Sequence, residues 1–144
     1  MTPTNIIGTW HLESWHNHHS DGTVDYPFGP DAIGVICYTD EGFVHVHIMA
    51  NNRDNFEQND PFKASIAEDS AAMKTHISYS GTYVCEADKI IHSVDISSCP
   101  NWVGTQQFRN AKMIGKTLEL SVDGAQFQGN TVTAKLIWRR AVPI

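Results

Sequence analysis

From Val132 to Arg140 the chain alternates strictly. Val132, Ala134, Leu136, Trp138 and Arg140 fall on one side and Thr131, Thr133, Lys135 and Arg139 on the other, with only Ile137 out of step. Successive side chains of a β-strand point to opposite faces, so a period of two excludes an amphipathic helix here and sends the Val132 set inward. The same rhythm returns at Leu118, Leu120 and Val122 against Thr117, Glu119 and Ser121. It recurs at Ile90, His92, Val94 and Ile96 against Ser93, Asp95 and Ser97. Turn residues separate these runs at short intervals: Asp21-Gly22, Thr39-Asp40-Glu41-Gly42, Ala87-Asp88, Ile114-Gly115-Lys116 and Gly129-Asn130. An all-β meander of hairpins follows.

One segment departs from the pattern. Ser65-Ile66-Ala67-Glu68 has the form of a capping box, and Ile66, Ser70, Met73 and Ile77 are spaced as one helical face. The spacing predicts a short helix over about residues 66–76. The preceding stretch, residues 51–61, is rich in Asn and Asp and reads as a loop leading into that helix, a candidate lid over one end of the fold. No repeat, low-complexity tract or linker divides the 144 residues, so residues 1–144 are expected to form a single domain. A chain of this length buries roughly 70% of its unfolded surface, enough for a core without disulfides. Short strands with one covering helix leave two architectures, a closed up-and-down barrel and a two-sheet sandwich, which periodicity alone does not separate.

Gly8-Thr9-Trp10 near the start and Trp138-Arg139-Arg140 near the end resemble the lipocalin pattern of a tryptophan packed against a late arginine at the closed end of a barrel. Parity puts Arg140 on the face of Trp138, so Arg140 is the residue expected over the Trp10 ring. Similarity to the bacterial and fungal lipocalin-like domain family continues through Gly8-Thr9-Trp10-His11-Leu12, Tyr26-Pro27-Phe28-Gly29, Cys37-Tyr38-Thr39, Tyr79-Ser80-Gly81-Thr82-Tyr83 and Pro100-Asn101-Trp102-Val103-Gly104-Thr105. The resemblance implies an all-β, single antiparallel up-and-down barrel shaped as a calyx and, by analogy, small-molecule binding, although a barrel does not fix a function. The histidines His11, His16, His18, His19, His45 and His47 depart from the family's pattern.

Ten Lys and Arg stand against sixteen Asp and Glu, a net charge of −6, with no basic stripe to displace counterions from a phosphate backbone. Nucleic acid is not an expected partner. Cys37, Cys85 and Cys99 cannot all pair within the chain and lack metal or redox spacing, which reads as free thiols in a reducing compartment. The start of the chain has no secretory pattern, and no apolar run is long enough to span a bilayer. The sequence-based expectation is a cytoplasmic protein that does not engage membranes. Neither a phosphate-binding loop nor a dinucleotide fingerprint is present, so no cofactor is expected. His45-Val46-His47 presents two imidazoles to one side but no third ligand joins them, and no metal site is assigned.

The candidate site consists of polar residues that parity sends inward. Between Val103 and Met113, Gln107 and Arg109 share a face with Ala111 and Met113, while Phe108 lies opposite. If that face is the interior, Arg109 needs an anionic or carbonyl partner, which a ligand can supply. If the strand is turned over, Phe108 is in the core and Arg109 in water. His92, among aliphatic neighbours, reads either as a core histidine satisfied by a tyrosine or as an acid-base group. Tyr38, Tyr79 and Tyr83 supply apolar wall with a hydroxyl attached, and Trp102 supplies further wall. On the strand Phe43–Met49 either the aliphatic face (Val44, Val46, Ile48) or the mixed face (His45, His47) lines the interior; the second would make His47 a ligand contact.

Three functions fit these residues. The first is a binding or carrier barrel for a small, largely apolar aromatic or polyketide-like molecule, with Tyr38, His47, Tyr79, Trp102 and Gln107 at the ligand. The second is a cofactor-free isomerase, cyclase or lyase with His92 as acid-base and Arg109 or Tyr83 stabilising an oxyanion. The third is an interaction protein, a homodimer with a packed interior.

Overall fold

The computed structural model describes residues 1–142. Nine strands follow one another: β1 (Gly8–His18), β2 (Val24–Asp25), β3 (Ile33–Tyr38), β4 (Phe43–Met49), β5 (His76–Glu86), β6 (Lys89–Ser97), β7 (Gln106–Ile114), β8 (Thr117–Phe127) and β9 (Asn130–Arg140). All pairings are antiparallel between sequence neighbours except that β1 skips β2 to reach β3. The long ladder between β1 and β9, from Trp10 opposite Arg140 to His18 opposite Thr133, closes the sheet on itself. The result is an eight-stranded barrel with the two-residue β2 added at the end of β1. Closure excludes the sandwich and removes the free edges an open sheet would expose. Tight turns make the meander possible; between β8 and β9 both Gln128 and Gly129 have positive φ, the twist that two-residue hairpins require.

At the end where β1 begins and β9 finishes, the barrel is solid. The short helix α1 (Pro3–Ile6) plugs it, and Ile6, Trp10, Tyr38, Val44, Ile90, Leu118 and Trp138 are fully buried there or in the adjacent layer. Trp10 Nε1 donates to the Ile6 carbonyl at 2.9 Å. The Arg140 guanidinium lies 4.3 Å over the Trp10 ring and donates to the carbonyls of Ile7 and Asn5 at 2.9 and 2.6 Å. This is the arginine-on-tryptophan closure the sequence pattern predicts, with Arg140 rather than Arg139 in place.

Three bulges break simple parity. At Glu13 the β1–β9 register slips, so the inward set runs Trp10 and Leu12 and then Trp15 and Asn17. Between Val122 and Ala125 the β8–β9 register slips likewise, bringing Ala125 and Phe127 to the inside. On β6, Asp95 is the extra residue opposite the Ser80/Gly81 step. The inward face of β6 therefore ends at Val94, and Ile96, expected inside with Ile90 and His92, is 70% exposed.

Helix α2 (Ile66–Lys74) carries the expected capping box: the Ser65 Oγ accepts from the Glu68 N–H at 3.2 Å, and Glu68 Oε1 accepts from the Ser65 N–H at 3.0 Å. It stops two residues short of His76, which opens β5. The anticipated apolar face is not buried, because Ile66 is 89% and Met73 51% exposed. The helix instead turns the side of Ala67, Ala71 and Ala72 toward the loop after β4. Arg53 pins the two together, donating to Thr75 Oγ1 and the Ala72 carbonyl at 3.2 and 3.3 Å. Neither α2 nor residues 51–61 line the barrel cavity; residues 51–56 and the alanine side of α2 line a separate surface pocket between them. Cys37, Cys85 and Cys99 are unpaired thiols, and no helix among the described residues is long and apolar enough to cross a membrane.

Candidate functional site

Away from the plugged end the inward side chains stop short of filling the barrel and leave a cavity of about 280 Å³. That is near the lower end of small-molecule pockets, which run roughly 300–1,000 Å³. Aliphatic wall comes from Ile36, Val46, Ile48, Leu120 and Leu136, and aromatic wall from Trp15, Phe127 and Trp138. Trp15 and Phe127 reach it only because of the bulges at Glu13 and beyond Val122, and they pack edge to face with centroids 5.4 Å apart. Counting alternation onward from Trp10 sends Trp15 outward, so parity alone misses both residues. The indole N–H groups of Trp15 and Trp138 find no acceptor among the described residues.

The polar part of the wall comes mainly from β5 and β7, with Gln126 of β8 added. On β7, Gln107 and Arg109 face the cavity while Phe108 is 53% exposed on the outside. The Arg109 guanidinium donates to Gln107 Oε1 at 3.3 Å and to the Phe108 carbonyl at 3.2 Å. Among the described residues no carboxylate pairs with it; the histidine–carboxylate contact found there is His19–Asp25, on β2 and the loop preceding it. A half-buried guanidinium cannot shed its proton, so it keeps a full charge in an apolar wall with only neutral partners. Trp102 enters from the 3₁₀ turn Pro100–Trp102 after β6 and meets Tyr79 edge to face at 5.7 Å.

Behind Tyr79 lies a hydrogen-bonded chain. The Tyr79 hydroxyl is 2.6 Å from His92 Nδ1, and His92 Nε2 is 2.8 Å from the Tyr38 hydroxyl. His92 is 1% and Tyr38 0% exposed, and neither lines the cavity. Burial, with a smaller contribution from the Arg109 charge, pushes the His92 pKa down to about 3, so the imidazole is neutral at physiological pH. Burial holds Tyr38 well above the ordinary phenol range. It raises Tyr79 as well, though the Arg109 guanidinium opposes that shift.

Tyr79, Trp102, Gln107 and Arg109 are thus brought together at one cavity, with His92 and Tyr38 one and two steps behind. Two candidates lie elsewhere. Tyr83 turns to the solid end, where its hydroxyl donates to the Thr39 carbonyl at 2.7 Å and its ring packs edge to face on Tyr38; it does not face the cavity and has no free donor for an oxyanion. His47 is on the outside of β4, where the aliphatic face is the buried one, and its ring sits 5.9 Å from that of His76. Of the two faces the sequence left open, the aliphatic one is inside: Val46 and Ile48 line the cavity and His47 does not. His92 is in place between the two tyrosines but walled off from anything in the cavity by Tyr79, so it cannot touch a ligand directly.

Similar proteins can be set beside this geometry. A protein described as the 4'-hydroxy-3'-methoxypropiophenone carrier protein ppsC of Aspergillus oryzae is 35% identical over 78 residues, 48% of this chain and 70% of that protein. A crystal structure of an uncharacterized protein from Bacteroides eggerthii aligns over 94% of this chain and 98% of its own at 13% identity, with a TM-score of 0.47. The sequence pattern of the lipocalin-like domain matches residues 7–141. Nearly the whole barrel, from the first strand to the closing arginine, falls within that match, and the chain belongs to the lipocalin-like domain family.

Proposed function

We propose that this barrel binds a small, largely apolar aromatic molecule, of the size of a substituted single ring or a compact polyketide, and holds one of its oxygens against Arg109. The observation that carries the reading is the guanidinium itself, charged and without a carboxylate partner in the wall of a largely apolar cavity of about 280 Å³. Apolar walls supply affinity through burial at roughly 25 cal/mol per Å², and the few polar groups fix orientation. A relative named as the carrier of an aryl ketone supports the same reading. Three of the four tryptophans line the cavity, so an occupant should change their emission.

The test is a fluorescence titration with 4'-hydroxy-3'-methoxypropiophenone and simpler aryl ketones. Saturable one-to-one quenching is expected, and Arg109→Met should weaken binding roughly 10- to 100-fold, the span of a hydrogen bond to a charged group. Absence of saturable binding by every aryl ketone at millimolar concentration would remove the proposal.

A cofactor-free isomerase, cyclase or lyase turning on His92 draws less support. An imidazole with a pKa near 3, engaged at both nitrogens and screened by Tyr79, is poorly matched to proton transfer at neutral pH. A merely packed barrel acting through homodimerisation is disfavoured by the open cavity and by the inward turn of Val44, Val46 and Ile48, the face that would otherwise need a partner.

A further inference from the structure

The Tyr38–His92–Tyr79 chain can be assigned a direction by counting donors. Tyr38 is fully buried, and among the described residues its hydroxyl has a single partner, His92 Nε2. Were Nε2 to carry the imidazole proton, Tyr38 would accept it and its own O–H would be a buried donor with nothing to bond, an arrangement native interiors avoid. The Tyr38 O–H therefore donates to Nε2. A neutral imidazole has one N–H, so that proton sits on Nδ1 and points at the Tyr79 oxygen. The Tyr79 oxygen is then an acceptor, and it lies beside the Arg109 charge as well. Its own hydrogen has no acceptor among the described residues, and Tyr79 is one of the residues lining the cavity.

We infer that Tyr38, His92 and Tyr79 form a one-way relay that presents the Tyr79 O–H to the cavity as a fixed donor, so that the ligand taken here is one offering an oxygen acceptor, a ketone carbonyl or a phenolate, to Tyr79 and Arg109. The inference rests on the ligand-binding reading of the cavity and sharpens it. His92 and Tyr38 are positioning residues in this scheme. They touch no ligand; they occupy the Tyr79 oxygen with the Nδ1 proton and so leave its own hydrogen as the group offered to the cavity, and the site rejects molecules whose only polar group at that point is itself a donor. No proton needs to move, since passing one to the ligand would leave the charge on a buried phenol.

The experiment compares propiophenone with 2-phenylbut-1-ene, in which a CH₂ replaces the oxygen, by calorimetric titration of the purified protein. The ketone should bind roughly 100-fold tighter, the combined margin of the Arg109 and Tyr79 donors, and Tyr79→Phe should cut that preference roughly tenfold while leaving the affinity for the hydrocarbon unchanged. A second arm uses 4-propylphenol and follows its ultraviolet absorbance: a recognised phenolate ionises at lower pH when bound to the wild type and not when bound to Tyr79→Phe. A preference dependent on Tyr79 in either arm upholds the relay. Equal affinity for ketone and hydrocarbon together with an unshifted phenol overturns it while leaving ligand binding intact, whereas failure of all three probes to bind removes both. Nitrogen-15 NMR of the imidazoles reads the relay without ligand or variant: His92 should be neutral with its proton on Nδ1, and a proton on Nε2 overturns the assignment.

Discussion

Between Ile90 and Val94 an imidazole occupies a strand face that is otherwise aliphatic, and the fold keeps it there uncharged. Its pKa in the folded protein is pushed down to about 3 from 6.5. Below pH 6.5 the unfolded chain takes up a proton at His92 that the native state refuses, so stability present above that pH is lost progressively as pH falls toward 3. The slope is about 1.4 kcal/mol per pH unit, or roughly 2 kcal/mol between pH 6.5 and 5. Burial lowers His16 and His76 too, adding to the same trend. Urea denaturation at the two pH values should therefore show a wild-type loss that exceeds that of His92→Gln by about this amount; parallel losses would mean that His92 titrates normally. Parity could see that His92 points inward, but its partners could not be read from one strand. Tyr38 lies 54 residues away on β3, and only the curvature of the barrel brings it to Nε2 at 2.8 Å.

Strand and helix behave differently as readable units. The capping box of α2 is a contact between residues three apart, and it formed as the sequence implies. Which face of α2 is buried depends on what lies beneath, and the alanine side won because Arg53 and the loop after β4 meet it there. Bulges are harder still, since one inserted residue is silent in composition and reverses every side chain beyond it. The β5–β6 step has one legible trace. A methyl group at Gly81 would lie 1.8 Å from the Ser93 carbonyl oxygen and 3.1 Å from the Val94 Cα, both backbone atoms of β6 that cannot step aside. Gly81→Ala should therefore lower stability by about 3 kcal/mol or more, the upper part of the overpacking range, and shift the β5–β6 register. Thermal melting and amide hydrogen exchange of β6 check this; a cost within about 0.5 kcal/mol would mean the bulge relaxes freely.

Closure of the whole molecule ties its two ends together. Arg140 reaches the carbonyls of Asn5 and Ile7 and covers Trp10, joining residues 130 or more positions apart at the rim of the solid end. A charged donor with two carbonyl acceptors is worth more than a neutral one, but this side chain is solvent-accessible, which reduces its share. Arg140→Ala should cost about 1–2 kcal/mol in a denaturation titration and accelerate exchange of the β1–β9 amides. An unchanged unfolding midpoint would show that the ladder closes the barrel unaided.

The sequence by itself determined the alternating strands, the turns between them, the capped helix and the pairing of Trp10 with Arg140, because each depends on local geometry or on a pattern carried by the family. Tertiary structure alone decided which faces of β4 and α2 are buried, where parity reverses, and that Tyr79, Trp102, Gln107 and Arg109 share a cavity with His92 and Tyr38 behind them. Those outcomes follow from register and closure, which sum contacts between distant strands. No window of neighbouring residues contains them.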